Sequence, residues 1–283
     1  MYPETKILRE TVVGQLRIVS LLESRRSAGR LTVLLNAYCE RTTQTPPLFH
    51  YWNLPESFGH VLRVSDPTLL LAEWVRVSAF LGTEHEDPIP PTLALCRQTA
   101  QELGIGPEQI VYLGASGAGF AALQCAARDP VAIGIGINPI IRVRPYAGYQ
   151  FAEEIADLFR PGATMAELCA VYPERFSVTT AVLKAIKNGM HPRLGIVQNV
   201  TDQGHFRPHY DLFCKALRIP SGGGADLTEH LHSLTYERPG GHAVLPDIAL
   251  VEELIGRMAA QKGLERRGAV GYSHFPIALD PQS

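Results

Sequence analysis

The stretch IVYLGASGAGFAAL, residues 110–123, constrains this chain more than any other. An apolar, β-branched run rises into Gly114, small residues follow, and a helix-like pattern begins at Gly117. A strand that turns at once into a helix needs small residues at the corner, because the helix passes close to the strand it has just left. Two kinds of chemistry use such a corner. One lays a phosphate against the helix N-terminus; the other puts a nucleophilic serine on the turn.

The surrounding residues separate the two. Gly114-x-x-Gly117-x-Gly119 is a variation on the dinucleotide fingerprint, which expects an acidic residue about 20 positions on, at the end of the next strand. Here that strand ends in Asn138-Pro139, and Asp129 stands before it, at the wrong end. No Gly-Lys-Ser/Thr follows, so a Walker loop is excluded. Gly114-Ala115-Ser116-Gly117-Ala118, by contrast, matches the nucleophile elbow G-x-S-x-G with Ala in place of the last glycine. Alanine still meets the size requirement. The turn exposes the serine hydroxyl and aims the first helical N–H groups at one point, which suits an oxyanion.

Short apolar runs alternate with amphipathic ones. Strands are expected near 31–37, 61–65, 110–114, 131–137, 194–200 and 232–237, with another candidate at 15–20. Helices are expected near 67–80, 90–103, 117–128, 173–188, 207–217 and 246–262. This alternation implies a mostly parallel sheet with helices on both faces. Residues 1–138 and 191–262 form the core in this scheme. Residues 139–190, which carry no strand, read as a helical lid insertion, and 263–283 as a C-terminal tail. SGGG at 221–224 is a flexible loop within the core.

Totals narrow the function class. The chain has 283 residues, 46% of them apolar, enough for a sizeable core. With 26 basic and 28 acidic residues it has no electrostatic footprint for nucleic acid. The start MYPETKILRE lacks a secretory h-region, and no apolar run is long enough for a transmembrane segment. The five cysteines are odd in number and show no CxxC spacing, which points to a reducing, cytoplasmic setting without a disulfide framework or zinc knuckle. A homo-oligomer is compatible with all of this.

A serine nucleophile needs a base and an acid, expected downstream in the order acid, then histidine, each on a loop at a strand's C-terminal end. After LGIVQNV comes Thr201-Asp202-Gln203-Gly204-His205; after HSLTYE comes Arg238-Pro239-Gly240-Gly241-His242. Asp202 and His242 are each the first suitable group past a strand, on the same edge of the sheet as Ser116. His242 would take the hydroxyl proton, and Asp202 would orient the imidazole and stabilise its protonated form. His205 and His209 lie four apart, but Pro208 between them breaks the helix that an H-x-x-x-H metal site needs, so no metal is expected. His205 is instead expected at the substrate or the acid loop. Oxyanion donors are expected from Gly117 and from Ala37 or Tyr38, directly after an early strand. Among Phe49, His50, Tyr51 and Trp52, Trp52 is the candidate wall of an acyl or sugar pocket. Arg142, with Arg144 and Tyr146, opens the expected lid and would grip an anionic group.

Four stretches together resemble a known group. YLGASGAGFAAL resembles the YGSSxGGxxAL elbow of a bacterial branch of the α/β-hydrolase superfamily, with Ala118-Gly119 where that branch has two glycines. VSDPTLLLAEW (64–74), QNVTDQGHFRPHY (198–210) and PGGHAVLPD (239–247) resemble its "SDPTL" stretch, its acid loop and its histidine loop. The pieces span about residues 30–255 in order. The branch includes capsular polysaccharide O-acetyltransferases and an accessory protein of glycosylated-adhesin export. The resemblance implies a three-layer α/β-hydrolase fold, a mostly parallel sheet with a helical lid insertion, and places Ser116, Asp202 and His242 at the nucleophile, acid and base positions. It leaves three functions open. The first is a serine hydrolase or esterase acting on a small acyl ester, with no cofactor required. The second is an O-acetyltransferase using acetyl-CoA as donor and a saccharide as acceptor. The third is a noncatalytic partner in a glycan or secretion assembly.

Overall fold

The computed structural model describes residues 5–26, 28–143, 151–217 and 230–260. The strands are β1 (Thr5–Val13), β2 (Leu16–Ser24), β3 (Leu31–Asn36), β4 (His60–Ser65), β5 (Ile110–Ala115), β6 (Ile133–Ile137), β7 (Arg193–Asn199) and β8 (Leu231–Tyr236). They form one sheet in the order β1-β2-β4-β3-β5-β6-β7-β8. β1 pairs antiparallel with β2, and β2 with β4; every later pair is parallel. The helices are α1 (Ile89–Glu102), α2 (Ser116–Arg128), α3 (Phe151–Phe159), α4 (Met165–Val171), α5 (Pro173–Phe176), α6 (Val178–Lys187), α7 (Gln203–His205), α8 (Leu212–Ala216) and α9 (Ile248–Ala260). No described helix is long and apolar enough to cross a membrane.

Alternation along the central strands builds three layers. Ile110 and Tyr112 of β5 and Leu194 and Ile196 of β7 face one core, together with Phe120, Leu123 and Val182 from α2 and α6. Val111, Leu113, Ile135 and Val197 face the other, with Leu254, Ile255 and Met258 from α9. Strands buried on both faces read as continuous apolar runs, which is why β3 to β8 stand out in the sequence. The close seat of α2 depends on missing side chains. A Cβ at Gly114 would lie 2.3 Å from the Ala118 carbonyl oxygen, and one at Gly134 would lie 2.6 Å from Ala126 Cβ.

Five points differ from the expectations. The N-terminal nine residues from Thr5 form a strand that was not expected, joined to β2 through a two-residue turn with Gly14 at φ 60. The strand expected at 15–20 extends to Ser24. The helix expected over 67–80 is only a 3-10 turn, Pro67–Leu70; the chain then runs irregularly until Val77 bridges Tyr38. The pattern at 173–188 is broken at Ser177, whose extended backbone bridges Arg142 and whose hydroxyl caps α6 through the Thr180 amide at 3.2 Å. The helix expected at 207–217 starts as a π turn, Phe206–Asp211, containing Pro208, which has no N–H to give to a regular α ladder. The SGGG loop, Arg144, Tyr146 and the tail 263–283 lie outside the described residues.

Candidate active site

Ser116 is the first residue of α2, directly after β5, with φ of 54. The left-handed region costs a non-glycine residue of order 1–3 kcal/mol and persists only when the surroundings impose it. Here they do. Ala115 is extended at φ −115 and ψ 150. Gly114 lets α2 close on the strand, and the Ser116 carbonyl accepts from the Ile140 amide at 3.2 Å. The side chain is half-buried at the C-terminal edge of the sheet.

Asp202 and His242, the expected acid and base, lie on the loops after β7 and β8 on that edge. Asp202 follows β7 and is 4% exposed; His242 sits on the Gly241–Ala243 turn after β8. His242 Nδ1 lies 2.8 Å from Asp202 Oδ2. An ionised carboxylate can only accept, so Nδ1–H donates; in a neutral imidazole Nε2 then carries the lone pair. Burial pushes the Asp202 carboxyl up, but hydrogen bonds and charge from His205 and His242 outweigh it and hold it well below the usual carboxylate range. Gly240 and Gly241, at φ 110 and 63, give the loop its left-handed bend. Ser116 and His242 are brought to the same edge, and no hydrogen bond joins them among the described residues. Catalytic contacts are often long before substrate binds.

Three polar residues hold the His242 loop in place and were not anticipated. Asn199 Nδ2 donates to the carbonyls of Arg238 at 2.9 Å and Gly241 at 3.0 Å. Asn138 Oδ1 accepts from the Asn199 amide at 2.7 Å, and its Nδ2 donates to Tyr236 Oη at 2.8 Å. Tyr236 Oη in turn donates to the Val244 carbonyl at 2.7 Å. Each ends, or directly follows, a strand, a place the sequence shows, but their contacts are between residues far apart in the chain.

His205 is placed in the acid loop. Its amide and its Nδ1 reach Asp202 Oδ1 at 3.2 and 3.3 Å, and its ring stacks on His242 with centroids 3.9 Å apart. Asp202, His205 and His242 each put a donor atom within 4.8 Å of the others, the grouping among the described residues that could hold a cation. Ligand atoms at about 2.0–2.2 Å from a tetrahedral ion lie roughly 3.3–3.5 Å apart. The 2.8 Å Nδ1–Oδ2 contact is shorter, a hydrogen-bond length, and leaves no room for an ion between those two atoms.

Ala37 and Tyr38 follow β3. A Cβ on Gly117 would touch Ala37 Cβ at 3.7 Å, so the two expected oxyanion segments lie side by side. As the second residue of α2, Gly117 has no intrahelical acceptor for its N–H. Tyr38 opposes Val77 in an antiparallel bridge, and its hydroxyl donates to Glu40 Oε2 at 2.9 Å. Trp52 lines a cleft of about 130 Å³ with Ile137, Leu245 and Val251, one residue from Asn138 along β6. Arg142 is half-buried and lies opposite Ser177.

A sheet in this strand order, with a strained serine between β5 and α2 and with acid and histidine loops after β7 and β8, is the α/β-hydrolase fold. Solved structures agree. The chain is similar to a capsule O-acetyltransferase of Neisseria meningitidis serogroup A (TM-score 0.58, 16% identity, 92% of this chain and 98% of that one). It is also similar to S-formylglutathione hydrolase from Staphylococcus aureus (TM-score 0.53, 13% identity, 90% and 97%). A third similar structure is the glycosylation-associated Gap123 complex from Streptococcus agalactiae (TM-score 0.58, 13% identity), where the match covers 94% of this chain and only 48% of that one. No family model matches the sequence, and no curated protein matches it.

Proposed function

We propose that this protein is a serine-dependent acyl-transfer enzyme, an ester hydrolase working through an acyl-Ser116 intermediate. The observation that carries the proposal is the 2.8 Å His242–Asp202 pair on the same sheet edge as a left-handed serine. Ser116 Oγ attacks the ester carbonyl carbon while His242 Nε2 takes its proton. Charge gathers on the carbonyl oxygen, where the Gly117 amide and the amide of Tyr38 or Ala37 donate to it. Collapse expels the alcohol, which receives the proton from His242. Water then repeats the sequence and releases the acid. Asp202, an anion in a buried site, favours the protonated imidazole that forms within each half.

In this proposal Trp52, His205 and Arg142 meet the substrate, residues 139–190 cover the site, and the setting is cytoplasmic. A second reading, O-acetyl transfer from acetyl-CoA to a saccharide, draws on the four resembling stretches and on the near full-length likeness to a capsule O-acetyltransferase, another structure of which is a complex with CoA. In that case the acceptor hydroxyl replaces water in the second half. Hydrolysis of activated acetyl esters by wild type and Ser116→Ala tests the shared first half. Turnover lost in the variant supports it, and turnover retained overturns it.

A further inference from the structure

Asp66 follows β4 at the C-terminal edge of the sheet, and the proposed reaction makes no direct use of it. Its side chain is fully buried. Among the described residues no ion pair reaches it; its partners are donors from the loop that follows. Oδ1 accepts from the Thr68 amide at 2.9 Å, and Oδ2 from Ser78 Oγ at 2.7 Å and the Phe80 amide at 2.6 Å. Burial pushes the carboxyl up, and these same donors pull against it.

The turn it grips is unusual. Ala79 and Phe80 are consecutive non-glycine residues at φ 50 and 57, closed by the Leu81 amide on the Ser78 carbonyl at 3.0 Å. Such a backbone persists only when its surroundings over-determine it. Further ties follow: the Gly82 amide donates to Thr68 Oγ1 at 3.0 Å, and Arg175 donates to the carbonyls of Leu81, Thr83 and Glu86.

The segment held this way touches both expected oxyanion segments of the site. Just before the turn, Val77 opposes Tyr38, and the Cys39 amide donates to the Arg76 carbonyl at 2.9 Å. A Cβ at Gly117 would meet Val77 Cγ1 at 3.4 Å and Ala79 Cβ at 3.7 Å. We infer that Asp66 is a positioning residue: through the left-handed Ser78–Leu81 turn it sets the spacing of the Tyr38 and Gly117 amides around the oxyanion. The inference rests on the acyl-Ser116 chemistry proposed above.

The test compares full-length wild type, Ser116→Ala, Asp66→Asn and Ser78→Ala. Each is measured for phosphonylation by a fluorophosphonate probe, for kcat and KM on an activated acetyl ester, and for Tm. Asp66→Asn keeps the shape but exchanges one acceptor oxygen for a donor. Both kcat and phosphonylation rate should fall about a hundredfold, as for a misplaced catalytic group, with KM within about threefold of wild type. Ser78→Ala, which removes one donor and leaves the carboxylate, should lower kcat about tenfold. A merely structural role would lower Tm without moving kcat per folded molecule. Wild-type kcat in Ser78→Ala, or in folded Asp66→Asn, overturns the inference. Labelling that survives Ser116→Ala overturns the acyl-serine chemistry itself, whereas labelling that needs Ser116 but ignores Asp66 overturns only the positioning role.

Discussion

His205 lies flat against His242, their planes 11° apart, and both imidazoles reach the one Asp202 carboxylate. Only His242 makes the shorter contact, 2.8 against 3.3 Å. The two rings should therefore separate on substitution. His242→Ala should lower kcat by about a thousandfold or more. His205→Asn, which leaves the backbone amide on Asp202, should cost about tenfold or less. Steady-state kinetics on an activated ester decides it; the reverse ranking would make His205 the base.

Asp202 carries a pH signature. Burial pushes its carboxyl up and the two imidazoles outweigh this, so its folded pKa is depressed. An unfolded aspartate titrates near about 3.9. Between the two values the unfolded chain holds the proton and the folded one does not, so stability rises with pH across that window. The contribution is complete above about pH 5 and fades as pH falls below about 4 toward the folded value. Urea unfolding of wild type and Asp202→Asn should show a stability gap at pH 6 that narrows at pH 3. A gap independent of pH would contradict the assigned charge state.

Gly114 tests the elbow as a packing device. Its missing Cβ would sit 2.3 Å from the Ala118 carbonyl, against backbone that cannot swing aside. Gly114→Ala should overpack the corner at a cost of about 1–3 kcal/mol and lower Tm by roughly 3–10 °C. An unchanged melting curve would mean that α2 is free to shift.

Asn199 tests the support of the histidine loop. Asn199→Ala removes the donor to the Arg238 and Gly241 carbonyls and the acceptor for the Thr201 amide at 3.2 Å. The expected result is kcat lower by about tenfold or more with little change in KM. Equal losses in both would point to a substrate contact instead.

Much of this arrangement could be read from residues alone, for a physical reason. Parallel strands buried on both faces leave apolar runs, and an elbow leaves a glycine-flanked serine, so β3 to β8, the corner at Ser116 and the first polar groups past β7 and β8 are local signals. β1 is exposed along almost its whole length and mixes Lys6, Arg9 and Glu10 with apolar residues, so neither periodicity shows. The apolar periodicity of 67–80 imitates a helix, but the buried Asp66 draws the Ser78 and Phe80 donors across the loop. Contacts such as Asn138 with Tyr236, 98 residues apart, leave no local pattern at all.

The most direct measurement is intact mass after mixing the protein with an activated acetyl ester or with acetyl-CoA. The account predicts a single acetyl adduct that maps to Ser116, is absent from Ser116→Ala, and is discharged by water or by an added saccharide. An adduct that persists in Ser116→Ala, or one mapping to another residue, would contradict it.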